Sequence, residues 1–180
     1  MRIIGGEFRS RVLAEFAGEE VRPTSDRARE ALFNILAFKV RGARVLDLFS
    51  GSGALGLESL SRGASEVVFN DVSKASLAVL KKNLQTLKIP LSERVKAYNY
   101  DYNACLEILK EPFDLILLDP PYRFDYGESA LKTIAQKGLL SENGVVVYER
   151  DRPFAGEIEG LEKYDERKYG KAYFTFFKKA

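Results

Sequence analysis

The stretch "RVLDLFSGSGALGLES", residues 44–59, decides the fold class. An apolar run ends at Asp47, glycines follow at positions 51, 53 and 56, and a helical pattern begins directly after them. A G-x-G-x-x-G loop between a strand and a helix is typical of a nucleotide-binding unit and normally suggests a dinucleotide. The stretch therefore predicts an α/β fold whose first strand ends at a bound nucleotide-like ligand.

The rest of the chain continues this alternation. Short apolar runs alternate with helical patterns from Arg44 onward, which predicts right-handed crossovers and a mainly parallel sheet. The continuous apolar run "LILL", residues 115–118, is typical of a strand buried on both faces. The terminal stretch "YDERKYGKAYFTFF" has two strand-like runs and no helix between them. We therefore predict a seven-stranded sheet that ends in an antiparallel C-terminal strand.

The first 43 residues precede this alternating region. "MRIIGGEFRSRVL", residues 1–13, predicts a β-hairpin around a glycine turn, and "SDRAREALFNILAF", residues 25–38, predicts an amphipathic helix. We expect residues 1–43 to form a hairpin and helix extension, and residues 44–180 to form a Rossmann-like domain.

Composition limits the chemistry that the chain can perform. Of its 180 residues 46% are hydrophobic and 30% are charged, and no apolar run approaches the roughly 20 residues of a membrane span. No signal peptide is visible, and the lone Cys105 fits a reducing compartment, so we expect a cytoplasmic protein and, by default, a monomer. Because the chain has no histidine, Ser-His-Asp catalysis and the usual zinc sites are excluded, and no metal site is expected.

Arginine is concentrated at the start of the chain. The first thirty residues hold six of the fourteen arginines, although six acids in the same segment cancel their charge. Two interpretations stay open: a solvated surface with ion pairs, or guanidinium groups that contact the phosphates of a nucleic acid.

Acids follow four of the predicted strands, at Asp47, Asp71, Asp101 and Asp119. A carboxylate at Asp47 would repel a pyrophosphate but favour S-adenosylmethionine, which has no phosphate and carries a sulfonium and an ammonium group. Asp71 suits the ribose hydroxyls of either cofactor, and Asp101 is equally a helix N-cap. The loop therefore favours the methyl donor over NAD.

The stretch "LILLDPPYRF", residues 115–124, ends a strand with an acid, two prolines and a tyrosine. The prolines force the chain out of the sheet in an extended form. The Asp119 carboxylate and the Pro120 carbonyl can then accept hydrogen bonds from an exocyclic base amine, while Tyr122 stacks on the base. This arrangement predicts methyl transfer to a nucleobase amine.

These motifs resemble a known family. "DLFSGSGALGLES" followed by "LLDPPY" resembles the amino-methyltransferases of nucleic acids. "MRIIGGEFRSRVL", "RPTSDRAREALFNIL" and "YGKAYFTFF" further resemble the ribosomal small subunit methyltransferase D family over nearly the whole chain. The resemblance implies a Rossmann-like S-adenosylmethionine-dependent methyltransferase fold with S-adenosyl-L-methionine as cofactor. It also implies a guanine N2 target in 16S rRNA of the small ribosomal subunit or its assembly intermediate.

The resemblance also implies roles for individual positions. The catalytic motif corresponds to Asp119, Pro120, Pro121 and Tyr122. The cofactor-binding positions are Arg22, Thr24, Asp47, Phe49, Gly51, Gly53, Asp71, Asp101 and Tyr102, with Pro23 in the same N-terminal segment. Separately from the resemblance, we expect four arginines to contact the RNA: Arg2, Arg9 and Arg11 of the hairpin, and Arg123. Two positions depart from the family's pattern: Asn70, where a glutamate is expected, and Tyr102, where a small residue is expected.

Three other functions stay open. An adenine-N6 DNA methyltransferase would use the same four residues, although the chain leaves little room for a domain that reads DNA sequence. A ribosome-assembly factor could retain the cofactor pocket without catalysis, and an NAD-dependent oxidoreductase could use the glycine loop. The residues themselves do not distinguish guanine N2 from adenine N6 or cytosine N4.

Overall fold

The computed structural model describes residues 1–15 and 25–180, and within them seven strands form one sheet. The strands are β1 Arg44–Asp47, β2 Glu66–Asn70, β3 Val95–Tyr98, β4 Phe113–Leu118, β5 Leu140–Arg150, β6 Leu161–Tyr169 and β7 Ala172–Lys179. The helices are α1 Asp26–Ile35, α2 Ala37–Val40, α3 Ala54–Ser61, α4 Lys74–Thr86, α5 Tyr102–Ile108 and α6 Tyr126–Gln136.

The strand order is β3-β2-β1-β4-β5-β7-β6. Strands β1 to β5 are parallel to their neighbours, whereas β7 runs antiparallel between β5 and β6. The predicted fold class is confirmed, and two antiparallel strands complete the sheet. The last strand, β7, lies inside the sheet because it pairs with β5 on one side and, through a tight turn at Gly170, with β6 on the other.

Helices cover both faces of the sheet, which explains the continuous apolar strands. Successive side chains of a strand point to opposite faces. In β4, Leu115 and Leu117 pack with the apolar residues of α1, α3 and α4, whereas Ile116 and Leu118 pack with those of α5 and α6. Each position of the run "LILL" is therefore buried, as the sequence predicted for a strand between two layers.

The N-terminal hairpin differs from its prediction. Its two arms run antiparallel, with backbone hydrogen bonds from Ile3 to Arg11 and from Leu13 to Met1, but the only ladder pairing among the described residues of this segment is the Arg2–Val12 bridge. Ser10 has a positive φ of 68° and turns the chain between the arms. Ile3 and Leu13 are buried in the same apolar cluster as α1 and α3, so the extension contributes to the core of the sheet domain.

A buried ion cluster joins this extension to α3. Both Arg29 of α1 and Glu58 of α3 are 0% exposed, with the Arg29 Nε 4.0 Å from a Glu58 carboxylate oxygen. The Glu58 carboxylate also accepts hydrogen bonds from the backbone N–H groups of Ile4 and Gly5 at 2.8 Å each, and from Arg62 Nε at 2.8 Å. One carboxylate therefore holds the hairpin, α1 and the end of α3 together.

We predict that Glu58→Ala lowers the free energy of unfolding by about 3–5 kcal/mol, because it leaves two backbone N–H groups without acceptors and leaves the buried Arg29 with Asp26 alone as its carboxylate partner. Urea denaturation measures the change. Glu30→Ala, at an exposed position of α1, is the control and should change stability by less than about 0.5 kcal/mol. Equal small effects of both variants would contradict the role of this cluster.

Candidate functional site

The polar groups that the sequence singled out meet at one edge of the sheet. Asp47 ends β1, Asp71 follows β2, and Asp119 follows β4. These strands are parallel to their neighbours, so their carboxyl ends open on the same side, where open α/β sheets bind ligands. The structure thus brings together side chains separated by 24 to 72 residues of sequence.

The glycine loop leaves open space for a ligand at Gly51. Gly51 and Gly53 have positive φ values of 53° and 87°, which glycine adopts without strain. A Cβ at Gly51 would meet no atom within 4 Å, whereas one at Gly56 would lie 2.2 Å from the Phe69 ring. Gly51 therefore faces open space at the carboxyl edge of the sheet, and Gly56 allows α3 to pack against β2.

Asp71 borders the same loop. One of its carboxylate oxygens accepts a hydrogen bond from the Gly51 N–H and the other from the Ser73 N–H, each at 2.8 Å. Burial raises the pKa of Asp71 while these two hydrogen bonds lower it. A carboxylate has about four acceptor sites, so lone pairs remain for the hydroxyls of a ribose.

Asn70, which stands where the family's pattern has a glutamate, has a structural role. Asn70 is buried, and its amide donates hydrogen bonds to the carbonyl groups of Leu48 and Tyr100 at 3.2 and 3.0 Å. Its Oδ1 accepts one from the Tyr100 N–H at 3.2 Å. Asn70 therefore ties the carboxyl ends of β1 and β3 to β2 and leaves Asp71 facing the loop.

Asp101 acts as a helix N-cap, one of the two roles considered for it. Its side chain accepts hydrogen bonds from the N–H groups of Asn103 and Ala104 at 3.0 and 3.1 Å, at the start of α5. The next residue, Tyr102, places its ring 5.6 Å from that of Phe49 and 5.2 Å from that of Tyr126. These rings form an aromatic wall beside the loop that suits the flat face of an adenine.

Asp47 ends β1, but its side chain is buried rather than exposed at the carboxyl edge, which the sequence did not predict. It is only 1% exposed, and its carboxylate accepts a hydrogen bond from the Gly56 N–H at 2.9 Å, in the first turn of α3. Burial raises the pKa of Asp47 to about 7, although the Gly56 hydrogen bond lowers it. Any effect on a ligand is therefore exerted by its charge from below the loop.

Asp119, Pro120, Pro121 and Tyr122 form a corner at the end of β4. Asp119 is partly exposed, Pro120 is buried, and the side of the corner that faces solvent carries Tyr122, 44% exposed. Burial, followed by the charges of Glu149 and Asp47, raises the pKa of Asp119 well above its usual value. The corner thus combines a carboxylate with an accessible aromatic ring.

Sequence analysis missed Glu149, near the end of β5. Leu118 pairs with Tyr148 across the parallel β4 and β5 strands, so Asp119 and Glu149 occupy the next corresponding positions. The Tyr122 hydroxyl donates a hydrogen bond to Glu149 Oε1 at 3.3 Å. The available signal was an acid ending the apolar run "VVVYE", the same signal that identified Asp119.

Asn83 of α4 was also missed, and it links the glycine loop to the N-terminal segment. Its fully buried amide donates hydrogen bonds to the carbonyl groups of Ser52 and Ala14 at 3.0 and 3.1 Å, and its oxygen accepts one from the Ala14 N–H at 2.7 Å. The chain therefore passes beside the glycine loop at Ala14. The predicted positions Arg22, Pro23 and Thr24 lie outside the described residues.

The predicted RNA-contacting arginines separate into two places. Arg123 directly follows Tyr122 at the corner of β4. Arg9 and Arg11 are exposed on the hairpin, whose residues Glu7 and Phe8 donate backbone hydrogen bonds to Ser61 at the far end of α3. That end lies roughly 10 Å along the helix from the glycine loop. Arg2 pairs with Asp26 at 3.4 Å.

Within residues 1–15 and 25–180, each helix is too short or too polar to span a membrane. No group of three or more acids, cysteines or histidines in that part of the chain could hold a metal ion.

Comparison with known proteins decides the family. The model of the family described as "Conserved hypothetical protein 95" matches residues 1–178. The ribosomal RNA small subunit methyltransferase D of Haemophilus influenzae is 40% identical over 160 residues, which cover 85% of this chain and 81% of the relative. The chain belongs to the ribosomal RNA small subunit methyltransferase D family. The Escherichia coli (strain K12) protein of the same name is 36% identical over 84% of this chain and 75% of its own length.

A solved structure agrees with this family. The putative methyltransferase yhhF from Escherichia coli superimposes with a TM-score of 0.86 at 32% identity, covering 99% of this chain and 97% of that one. The fold is the Rossmann-like fold of S-adenosylmethionine-dependent methyltransferases. The fold predicted from the sequence is therefore confirmed.

We predict that Asp47 makes stability depend on pH. Because its pKa is raised to about 7 in the folded protein, the folded state binds more protons than the unfolded chain between about pH 4 and 7, so the free energy of unfolding falls as the pH rises through that range. Asp47→Asn keeps an acceptor for Gly56 and should reduce the fall between pH 5 and 7.5 by about 2 kcal/mol.

Urea denaturation of the ligand-free protein at both pH values measures this difference. Glu93→Gln, at an exposed position before β3, is the control and should keep the pH dependence of the unsubstituted protein. An Asp47→Asn variant with an unchanged fall in stability would contradict the assignment of this pH dependence to Asp47.

Proposed function

We propose that this protein transfers a methyl group from S-adenosylmethionine to the exocyclic N2 amine of a guanine in 16S rRNA. The observation that carries the proposal is the Asp119–Tyr122 corner at the carboxyl end of β4, next to the glycine loop on β1. The family names of the relatives support rRNA of the small subunit as the substrate class. The choice of guanine N2 comes from the family resemblance.

The residues around the glycine loop fit the cofactor. The open space above Gly51 suits the methionine portion, Asp71 the ribose, and Phe49 with Tyr102 the adenine. Asp101 lies at the adenine end, where its capping role leaves one carboxylate oxygen available. We assign Arg22 and Thr24 to the same site from the resemblance alone.

The charge of the site favours a cationic ligand. The carboxylates of Asp47, Asp119 and Glu149 are close enough that two of them raise the pKa of the third. S-adenosylmethionine, when bound, supplies a methyl group made electrophilic by its positively charged sulfur. A positive ligand relieves the repulsion between these acids, whereas a dinucleotide pyrophosphate would add to it.

The corner at the end of β4 orients the target amine for methyl transfer. The Asp119 carboxylate and the Pro120 carbonyl accept hydrogen bonds from the two amine hydrogens, which directs the nitrogen lone pair toward the methyl group. Tyr122 stacks on the base and fixes its plane. No strong base is needed, because the amine becomes acidic as it is methylated and its proton leaves to water. Pro120 and Pro121 stiffen the backbone that carries these acceptors.

The target base must leave the RNA stack to enter this corner, as bases do in enzymes that modify them. We assign Arg123 to the RNA backbone beside the target base, and Arg2, Arg9 and Arg11 to more distant phosphates. We propose as partner the 16S rRNA in the small subunit or in its assembly intermediate, and a monomeric enzyme acting in the cytoplasm.

The decisive prediction concerns Asp119. Asp119→Ala should reduce methyl transfer to undermethylated small-subunit particles by about 100-fold or more, because an acceptor aimed at the reacting amine is lost. S-adenosylhomocysteine affinity should change less than about threefold. Asp125→Ala, an exposed acid six residues further along the same loop, is the matched control and should keep full activity.

Nucleoside mass spectrometry identifies the product. N2-methylguanosine in the unsubstituted protein and its loss in Asp119→Ala would support the proposal. Methyladenosine would overturn the guanine assignment, and protection of genomic DNA from restriction would favour an adenine-N6 DNA methyltransferase. Cofactor and particle binding without any methylated product would favour a ribosome-assembly role.

A separate prediction tests the hairpin arginines. Arg9→Ala combined with Arg11→Ala should weaken RNA binding. The slope of the logarithm of the binding constant against the logarithm of the salt concentration should become less steep by about 1 to 2, because two phosphate contacts are lost. Cofactor affinity should not change. Lys81→Ala combined with Lys82→Ala, two exposed charges on α4, is the charge-matched control. An equal salt slope in both double variants would remove the RNA-binding role of the hairpin.

A further inference from the structure

Glu149 is a buried acid that the proposed chemistry does not yet use. It is 3% exposed, although it lies at the carboxyl edge of the sheet, where the target-base corner is built. Taking a carboxylate out of water is unfavourable unless neighbouring groups compensate for the lost hydration. Its contact with Tyr122 identifies one such neighbour.

The register of the sheet fixes the direction of the Glu149 side chain. Tyr148 is in the apolar cluster of α5 and α6, and strand residues alternate between faces, so Glu149 points to the face of α1, α3 and α4. Asp119 points to the same face, since Leu118 before it also packs with α5 and α6. Two neighbouring parallel strands therefore present carboxylates side by side, directly beneath Tyr122.

Tyr122 needs a constraint that its own loop does not provide. Its ring is 44% exposed and follows two prolines, which orient the backbone but not the tyrosine χ angles. The hydrogen bond from its hydroxyl to Glu149 Oε1 joins the far end of the ring to a rigid strand. A ring held at both ends can stack on a base in one orientation.

We propose that Glu149 is a positioning residue for methyl transfer, which holds the Tyr122 ring in the plane that the target base must adopt. This inference rests on the proposed function, because it assumes that Tyr122 stacks on the base that receives the methyl group. Glu149 acts through Tyr122 and has no direct contact with the cofactor in this role.

A double-mutant cycle tests the proposal. Glu149→Ala and Tyr122→Phe each remove the hydrogen bond and should each lower kcat/KM for the particle about 10-fold. Their combination should lower kcat/KM by little more than either alone, because both remove the same interaction. Glu149→Gln keeps an oxygen acceptor and should stay within about threefold of the unsubstituted protein at its optimal pH.

The pH profile separates positioning from general structural support. The charges that act on Asp119 are those of Glu149 and Asp47, and those that act on Tyr122 are Glu149, Asp119 and Asp151. Removing the negative charge of Glu149 should therefore lower the pKa of Asp119, and the acidic limb of the Glu149→Gln profile should move to lower pH. Glu166→Gln, a partly buried acid hydrogen-bonded to Thr175 within the sheet, is the control and should leave the profile in place.

The outcomes distinguish this inference from the proposed function. If the unsubstituted protein forms N2-methylguanosine but Glu149→Ala and Tyr122→Phe have additive effects, the positioning role is wrong and the proposed function stands. A Glu149→Gln variant that loses as much kcat/KM as Glu149→Ala would also overturn the inference, because Gln keeps the oxygen acceptor for the Tyr122 hydroxyl. If the unsubstituted protein methylates no guanine, the proposed function itself fails. Should Glu149→Ala not fold, Tyr122→Phe and Glu149→Gln still decide the question.

Discussion

The parallel pairing of β4 with β1 and β5 is the constraint on which the rest of this protein depends. Parallel register aligns the carboxyl ends of the three strands, so that Asp47, Asp119 and Glu149 meet at one edge. A parallel sheet also requires crossover helices, and these cover both faces and exclude water from the strands. The same arrangement that buries the core therefore concentrates negative charge at the edge where open α/β sheets bind their ligands.

This concentration of acids is unfavourable in the ligand-free protein and useful in the complex. Burial raises the pKa values of Asp47 and Asp119, and the charge of Asp71 adds to the shift of Asp47 while those of Glu149 and Asp47 add to the shift of Asp119, so the ionised forms of both acids are destabilised. Under the proposed function, a positively charged methyl donor offsets part of that repulsion, whereas a dinucleotide pyrophosphate adds to it. Electrostatic selection of this kind needs no direct contact with every acid.

The N-terminal extension is bound to the sheet domain by polar contacts as well as apolar ones. Glu58 accepts hydrogen bonds from the hairpin backbone at one end of α3, and Asn83 connects Ala14 to the glycine loop near the other. The hairpin therefore spans α3 from its far end back to the ligand side.

Local sequence patterns determined much of what the structure confirms. The alternating apolar runs predicted the parallel sheet, the glycine spacing predicted the loop after β1, and the two prolines predicted the corner after β4. Ser73 and Asp101 are N-caps because a short polar side chain before a helix finds its backbone partners within three residues. Each of these features depends on neighbours in sequence, and so it can be read from one segment at a time.

Only the tertiary structure decided the contacts between distant segments. The Glu149–Tyr122 hydrogen bond joins residues 27 apart, the Asn83–Ala14 contact joins residues 69 apart, and Arg29 meets Glu58 across two helices. The burial of Asp47 and the short pairing of the hairpin arms were likewise missed. These features depend on strand register and on which helix faces pack together. Both are set by contacts between segments that are distant in sequence, so they are known only from the folded structure.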